Sequence, residues 1–268
     1  MSHPTPTTPD APNFGKYTGH KIALGNNRFL LPGGAFFNGR LLRTVALRPT
    51  NGFDEEAVGT TEVRAASHRI TDTLLSRTIT SIEDITDPNL IAKIVPEFTV
   101  GDRVGLLFML QKISSGDTIP MELSCPNGHR FHVDFDIDKI EFDAYPEGYP
   151  REIPVKLKHG ARNVGEEALS YDVVLRLPLG RDEQYMEGAD NNPGLLRSKL
   201  LEICVKSIGK ASPPNPMALK GMTAADRKLL EKTIDDCNPG PNLYQSYACT
   251  RCGTAVRGVA RPTNFFGG

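Results

Sequence analysis

The sequence predicts an α+β fold with antiparallel hairpins, laid out as two diverged helix-plus-knuckle halves that meet at a shared Cys/His site. Three observations predict it. Strand-like alternation and helical periodicity take turns along the chain, which is the pattern of an α+β fold. A Thr-x-x-Asp-Arg helix start occurs twice, at Thr99, Asp102 and Arg103 and again at Thr223, Asp226 and Arg227. Each copy is followed by a cysteine turn at the same distance, Asp102 standing 23 residues before Cys125 and Asp226 standing 23 residues before Cys249. Recurrence of a signature at a fixed interval is the mark of an internal repeat.

Residues 1–20 combine Pro, Thr, Ser and His with almost no large apolar side chains. Such a segment cannot bury enough surface to offset the entropy of ordering, so a flexible N-terminal arm is expected. Residues 21–55 read as a β-hairpin region, with turn signals at Pro32-Gly33-Gly34 and Asn38-Gly39 and alternation through Val45 and Leu47. Residues 56–148 form the expected first half. Ile70, Leu74, Leu75 and Ile79 recur at helical spacing between Glu56 and Thr80. Thr99 then offers a side-chain acceptor to the open amides of a helix start, Asp102 favours its positive end, and an apolar run from Val104 to Ile113 follows until Ser114-Ser115-Gly116 stops it. Met121 to Ser124 leads into Cys125, after which Phe131, Val133, Phe135 and Ile137 alternate with His132, Asp134, Asp136 and Asp138, the pattern of a strand with one buried face.

Residues 149–268 form the expected second half. Ile153, Val155 and Leu157, then Tyr171, Val173, Leu175 and Leu177, signal an antiparallel strand pair. Leu196, Leu200, Ile203 and Cys204 predict a buried helix over 195–208, which the segment Ala211 to Pro216 breaks. Asp226 and Arg227 open a last helix with Leu229, Leu230 and Ile234 on its apolar face, and the chain then reaches Cys249.

Composition narrows the function. With 268 residues and 39% hydrophobic side chains the chain can bury a core without a disulfide framework. Its 31 basic and 32 acidic side chains nearly cancel, so the positive field that drives non-specific binding to nucleic acid or anionic lipid is missing. No apolar run approaches the length of about 18 residues expected of a membrane span, and the first residues lack a basic or apolar leader segment, so folding in the cytosol is expected. Five cysteines, two of them in a Cys-x-x-Cys, point in a reducing compartment to metal or redox chemistry.

The metal-ligand candidates are Cys125, His129, Cys249 and Cys252. Cys125-Pro-Asn-Gly-His129 and Cys249-Thr-Arg-Cys252-Gly253 each place two ligands across a glycine-containing turn. Together they make a Cys₃His set, which suits tetrahedral zinc in a zinc-ribbon-like structural site. His132 competes for the histidine position and Cys237 could replace a thiolate, while Cys204 fits a helix core. A buried Cys125 beside a redox-active Cys249 and Cys252 pair is the plainer reading of the same residues. The strand carboxylates Asp134, Asp136 and Asp138 could serve a zinc hydrolase with His132, but they alternate as a solvated strand face does, and no phosphate loop, nucleophile elbow or His-Glu-x-x-His accompanies them. No enzyme activity and no small-molecule substrate are therefore expected. A nucleic-acid-binding zinc ribbon rests only on scattered Arg251, Arg257 and Arg261 and is disfavoured.

The order of several short blocks resembles one family. Leu-Pro-Gly-Gly-x-Phe-Phe at 31–37, Leu-Arg-Pro-Thr at 47–50, Asp-Arg-x-x-Leu-Leu at 102–107, Cys-Pro-x-x-His at 125–129 with its acidic-apolar strand, Leu-Arg-Leu-Pro at 175–178, a Leu-Leu helix ending near Cys204 and the final Cys-x-x-Cys-Gly look like the baseplate hub assembly proteins of T-even-type contractile-tailed phages and related contractile injection systems. The resemblance runs from about residue 28 to 257. It implies a role in building the tail baseplate, as a transient chaperone of hub or tape-measure proteins or as a resident subunit, with other tail, baseplate or hub proteins as partners. It also implies location in the host cytoplasm during assembly or in the virion tail baseplate. The family carries two Cys-Pro-x-Cys-Gly-like knuckles, onto which Cys125, Cys249 and Cys252 map. Gly128 stands at the usual second cysteine of the first knuckle and His129 follows it, so the fourth ligand comes from the chemistry of the turn.

Overall fold

The computed structural model of the protein describes residues 22–60, 66–142, 152–163, 165, 167–189 and 192–260. The expected N-terminal arm lies outside the described residues. The fold is mixed α+β with several small antiparallel sheets. No described helix is long and apolar enough to cross a membrane.

The chain divides into two compact units along different lines from the expected halves 56–148 and 149–268. The larger unit takes the described residues among 22–142, 178–193 and 238–260, and the smaller unit those among 152–177 and 194–237. Two stretches of the expected second half thus pack with the first, which is a matter of tertiary burial and leaves no local signature.

The larger unit opens with a four-stranded antiparallel sheet of β1 (Ala23–Gly25), β2 (Arg28–Phe37), β3 (Arg40–Leu47) and β4 (Ile79–Ile82) in that spatial order. Helices α1 (Gly52–Gly59) and α2 (Ser67–Thr78) precede β4, and α3 (Pro88–Ile94) and α4 (Val100–Ser115) follow it. Helix α4 starts where the sequence places it, the Thr99 hydroxyl accepting from the Asp102 N–H at 3.1 Å. Leu106, Phe108 and Leu110 of α4 are fully buried against Phe98, Leu31 and the inner faces of β2 and β3, forming the principal core. The hairpins β5 (Thr118–Ser124) with β6 (Arg130–Asp136) and β10 (Tyr244–Ala248) with β11 (Ala255–Val259) complete the unit.

The smaller unit holds a three-stranded antiparallel sheet of β7 (Ile153–Ala161), β8 (Ser170–Leu175) and β9 (Val205–Ile208). The short helix α5 (Glu183–Met186) belongs to the larger unit, while α6 (Pro193–Cys204, from Gly194), α7 (Pro216–Lys220) and α8 (Ala224–Cys237) belong to the smaller one. The helix predicted over 195–208 ends at Cys204, and Val205–Ile208 becomes a strand because it pairs with β8. Ile79 likewise leaves the predicted helix to start β4. In both places a β-branched residue with a free sheet edge beside it takes the ladder over the helix.

The two sheets share their irregularities. Five residues of β2 advance against two of β3 between the pairs Leu30–Thr44 and Ala35–Leu42, and five of β7 against two of β8 between Lys156–Asp172 and Ala161–Ser170. Gly34 and Gly160 take left-handed φ values of +71° and +78° within these bulges. The pairs Val45–Ile82, Ala46–Ser81 and Leu47–Ile79 match Val173–Ile208, Val174–Ser207 and Leu175–Val205, with the slip at the same step. After each sheet, Glu83 and Gly209 donate their N–H to Thr44 and Asp172, both at 2.8 Å. The capping aspartates close the pattern. Asp102 accepts from the Gly33 and Gly34 N–H groups at 3.1 and 2.6 Å, and Asp226 accepts from Lys158 and His159 at 2.7 and 3.1 Å. Each carboxylate thereby takes up strand donors that its bulge would leave without partners.

Candidate metal centre

The two cysteine turns are the tips of two β-hairpins in the larger unit. In the first, strands β5 and β6 stay in register up to the pair Ser124–Arg130, so residues 125–129 form the connection. The Cys125 N–H donates to the His129 carbonyl at 2.9 Å, and the Gly128 N–H donates back to the Cys125 carbonyl at 2.9 Å. In the second, β10 and β11 pair up to Ala248–Ala255; the Cys249 N–H donates to Thr254 at 2.9 Å and Gly253 donates to Cys249 at 2.8 Å. Gly128 and Gly253 have φ of +80° and +71°, and open space surrounds both, so glycine serves the backbone there and not packing.

Packing and hydrogen bonds bring the tips together. Cys125, Phe131 and Cys249 are buried in a small core with Leu123, Val133, Tyr247 and Val256 against it. The Gln245 side chain donates to the Asp136 carbonyl at 2.6 Å, and the Tyr247 hydroxyl donates to Gln245 at 3.0 Å. Hairpin two is therefore tied along hairpin one, with the tips side by side.

The ligand atoms of Cys125, His129, Cys249 and Cys252 all lie within 4.8 Å of one another. Cys125 Sγ is 3.5 Å from His129 Nδ1 and 3.9 Å from Cys252 Sγ, and Cys249 Sγ is 3.8 Å from His129 Nδ1. A tetrahedral ion with bonds of about 2.3 Å to sulfur and about 2.05 Å to nitrogen has sulfur–sulfur edges of about 3.8 Å and sulfur–nitrogen edges of about 3.6 Å. These three separations match those edges, and the remaining ones stay within 4.8 Å. They are nearly twice the S–S length of about 2.05 Å in a disulfide, and none of the five cysteines is in a disulfide. The four side chains fit a single metal ion.

Comparisons with protein-family models, curated proteins and solved structures find no match.

The sulfurs sit in unlike surroundings. Cys125 and Cys249 are buried, His129 is half-buried and Cys252 is exposed. The Cys252 thiol is brought down to about 5, first by its hydrogen bond with Thr254 at 3.3 Å and then by Asn127, whose Nδ2 donates to it at 3.4 Å. Burial pushes the Cys125 thiol up. Asn127 also donates to the Thr254 hydroxyl at 3.2 Å, so a residue of the first tip braces the thiolate of the second. Sequence reasoning missed Asn127 and Thr254; the only trace was that each sits inside or directly after a knuckle.

The competing candidates lie elsewhere. His132 is exposed on β6 opposite Glu122. Cys204 and Cys237 are buried in the smaller unit. Asp136 and Asp138 engage Lys139 and Lys112 as ordinary ion pairs. Among the described residues no second group of three or more His, Cys, Asp or Glu side chains converges as this one does.

Proposed function

We propose that the chain is a non-enzymatic component or assembly factor of a contractile-tail baseplate, in which one structural zinc ion held by Cys125, His129, Cys249 and Cys252 fixes two remote hairpins together. The observation that carries this reading is the Cys₃His cluster, whose four ligand atoms lie within 4.8 Å of one another. Three sulfurs and one imidazole favour zinc over harder cations, and four protein ligands leave no position for a reactive water. Such a site supplies folding energy and not chemistry.

The finer architecture is two diverged halves, each with a bulged strand triplet (β2 to β4 and β7 to β9), a Thr-capped helix and a knuckle, with the knuckles meeting as a zinc-ribbon-like pair. The matching registers, the paired Asp102 and Asp226 clamps and the equal spacing to Cys125 and Cys249 support it. The baseplate assignment rests on the ordered blocks from Leu31 to Gly253, together with a near-neutral charge that suits protein partners better than nucleic acid. The partners are other tail, baseplate or hub proteins, met in the host cytoplasm during assembly or in the virion tail baseplate.

Two measurements test the proposal. Elemental analysis of the purified protein should find one zinc per chain, and Cys252→Ser should lower that below one and reduce the unfolding midpoint; folded protein without zinc overturns the metal assignment. Co-purification from producing cells should bring tail proteins with the chain, and its absence from both assembled tails and assembly intermediates overturns the baseplate role.

A further inference from the structure

The larger unit contains a docked peptide of its own, and the smaller unit repeats the receiving surface with none on it among the described residues. In the larger unit, the segment 178–189 crosses the chain just before α4. The Val100 N–H donates to the Pro178 carbonyl at 3.3 Å, the Gly180 N–H donates to the Phe98 carbonyl at 2.9 Å, and Thr99 and Leu179 form an antiparallel bridge. Gly180 lies on the Arg103 guanidinium, where an added Cβ would stand 2.5 Å from Nη1. Three residues on, the Glu183 carboxylate accepts from Arg103 at 2.9 Å. Under this segment Thr99 is 5% exposed and Arg103 0%.

The smaller unit reproduces each receiving element. The Met222 N–H donates to the Leu219 carbonyl at 3.4 Å as Phe98 does to Val95 at 3.4 Å, and the Arg227 N–H donates to Thr223 at 3.0 Å as Arg103 does to Thr99 at 3.1 Å. Arg227 donates to the Ser198 hydroxyl at 3.0 Å where Arg103 donates to Asp72 at 2.6 Å. Among the described residues nothing bridges to the chain at 222–224, and no carboxylate pairs with Arg227. Thr223 and Ala224 are exposed and Arg227 is half-buried.

We infer that the Met222–Arg227 edge of the smaller unit is a docking site for an extended acidic segment of a partner protein, one carrying a glycine with a carboxylate three residues beyond it. The backbone of that segment bridges to the Ala224 N–H and the Met222 carbonyl, the glycine lets it cross the guanidinium, and the carboxylate pairs with Arg227. Backbone pairing supplies affinity in such an arrangement, and the charge pair with the glycine supplies selectivity. This inference stands independently of the metal.

The test uses the full chain and a synthetic peptide with the sequence of residues 178–189, titrated by calorimetry or fluorescence anisotropy. Saturable binding of one peptide per chain is expected. Arg227→Glu weakens it by about tenfold or more, because the guanidinium is replaced by a repelling carboxylate. Ala224→Pro also weakens it, since proline removes the bridging N–H, yet it is tolerated at the first position of a helix and leaves the fold intact by circular dichroism. Absence of saturable binding overturns the proposal, and so does binding that both variants leave unchanged. Self-association of the chain that Arg227→Glu abolishes also overturns it, by making a second copy the occupant.

Discussion

Arg103 and Arg227 follow the same capping aspartate at the same step of the same helix start, yet one is sealed and the other half-open. The difference is made far away in sequence. Arg103 is covered by 178–189 and held by Asp72 and Glu183, two carboxylates that offset the desolvation of a fully buried guanidinium. Arg227 meets one hydroxyl and keeps part of its hydration. The pair shows that a local motif determines the cap and the clamp, whereas the energetic weight of its neighbour is decided by whatever segment later lies across it.

That contrast can be broken by experiment. Arg103→Ala strands Asp72 and Glu183 and should cost about 3–5 kcal/mol in urea unfolding, while Arg227→Ala should cost less than about 1 kcal/mol. Equal losses would mean that the two sites are covered alike in solution. The clamps, by contrast, should behave alike. Asp102→Ala and Asp226→Ala each leave two strand N–H groups without their acceptor, and each should lose about 1–3 kcal/mol.

A smaller effect sharpens the comparison through pH. Burial pushes the Asp102 carboxyl up to about 6, against the opposing bonds from Gly33, Thr99 and Gly34. The folded protein therefore holds this proton more tightly than the unfolded chain, in which aspartate titrates near about 3.9. The contribution to stability is fully present below about pH 4 and is lost as the pH rises to about 6, by about 1–3 kcal/mol. Asp102→Asn should flatten that slope in unfolding midpoints measured across this range.

Much of the site was legible and much of the fold's closure was not. Cys125, His129, Cys249 and Cys252 announced themselves because ligand pairs across tight turns are local patterns, and Thr99 with Asp102 did so because a cap is written within three residues. The second role of Asp102, accepting from Gly33 and Gly34, was hidden because its partners lie almost seventy residues away. Ile79 and Val205 looked helical because their apolar spacing continues the preceding turns, and only the neighbouring strand edge makes them strands. The segment 178–189 carries no pattern that tells which surface it covers; Gly180 becomes meaningful only once the guanidinium beneath it is seen.

The hairpin tips at Cys125 and Cys249 lie on either side, in sequence, of every described residue of the smaller unit. An ion bound between them would short-circuit the chain. Tension applied at the two ends would then run through the metal–sulfur bonds and bypass the intervening sheet and helices, so β7 to β9 and α6 to α8 should bear no load until the coordination ruptures.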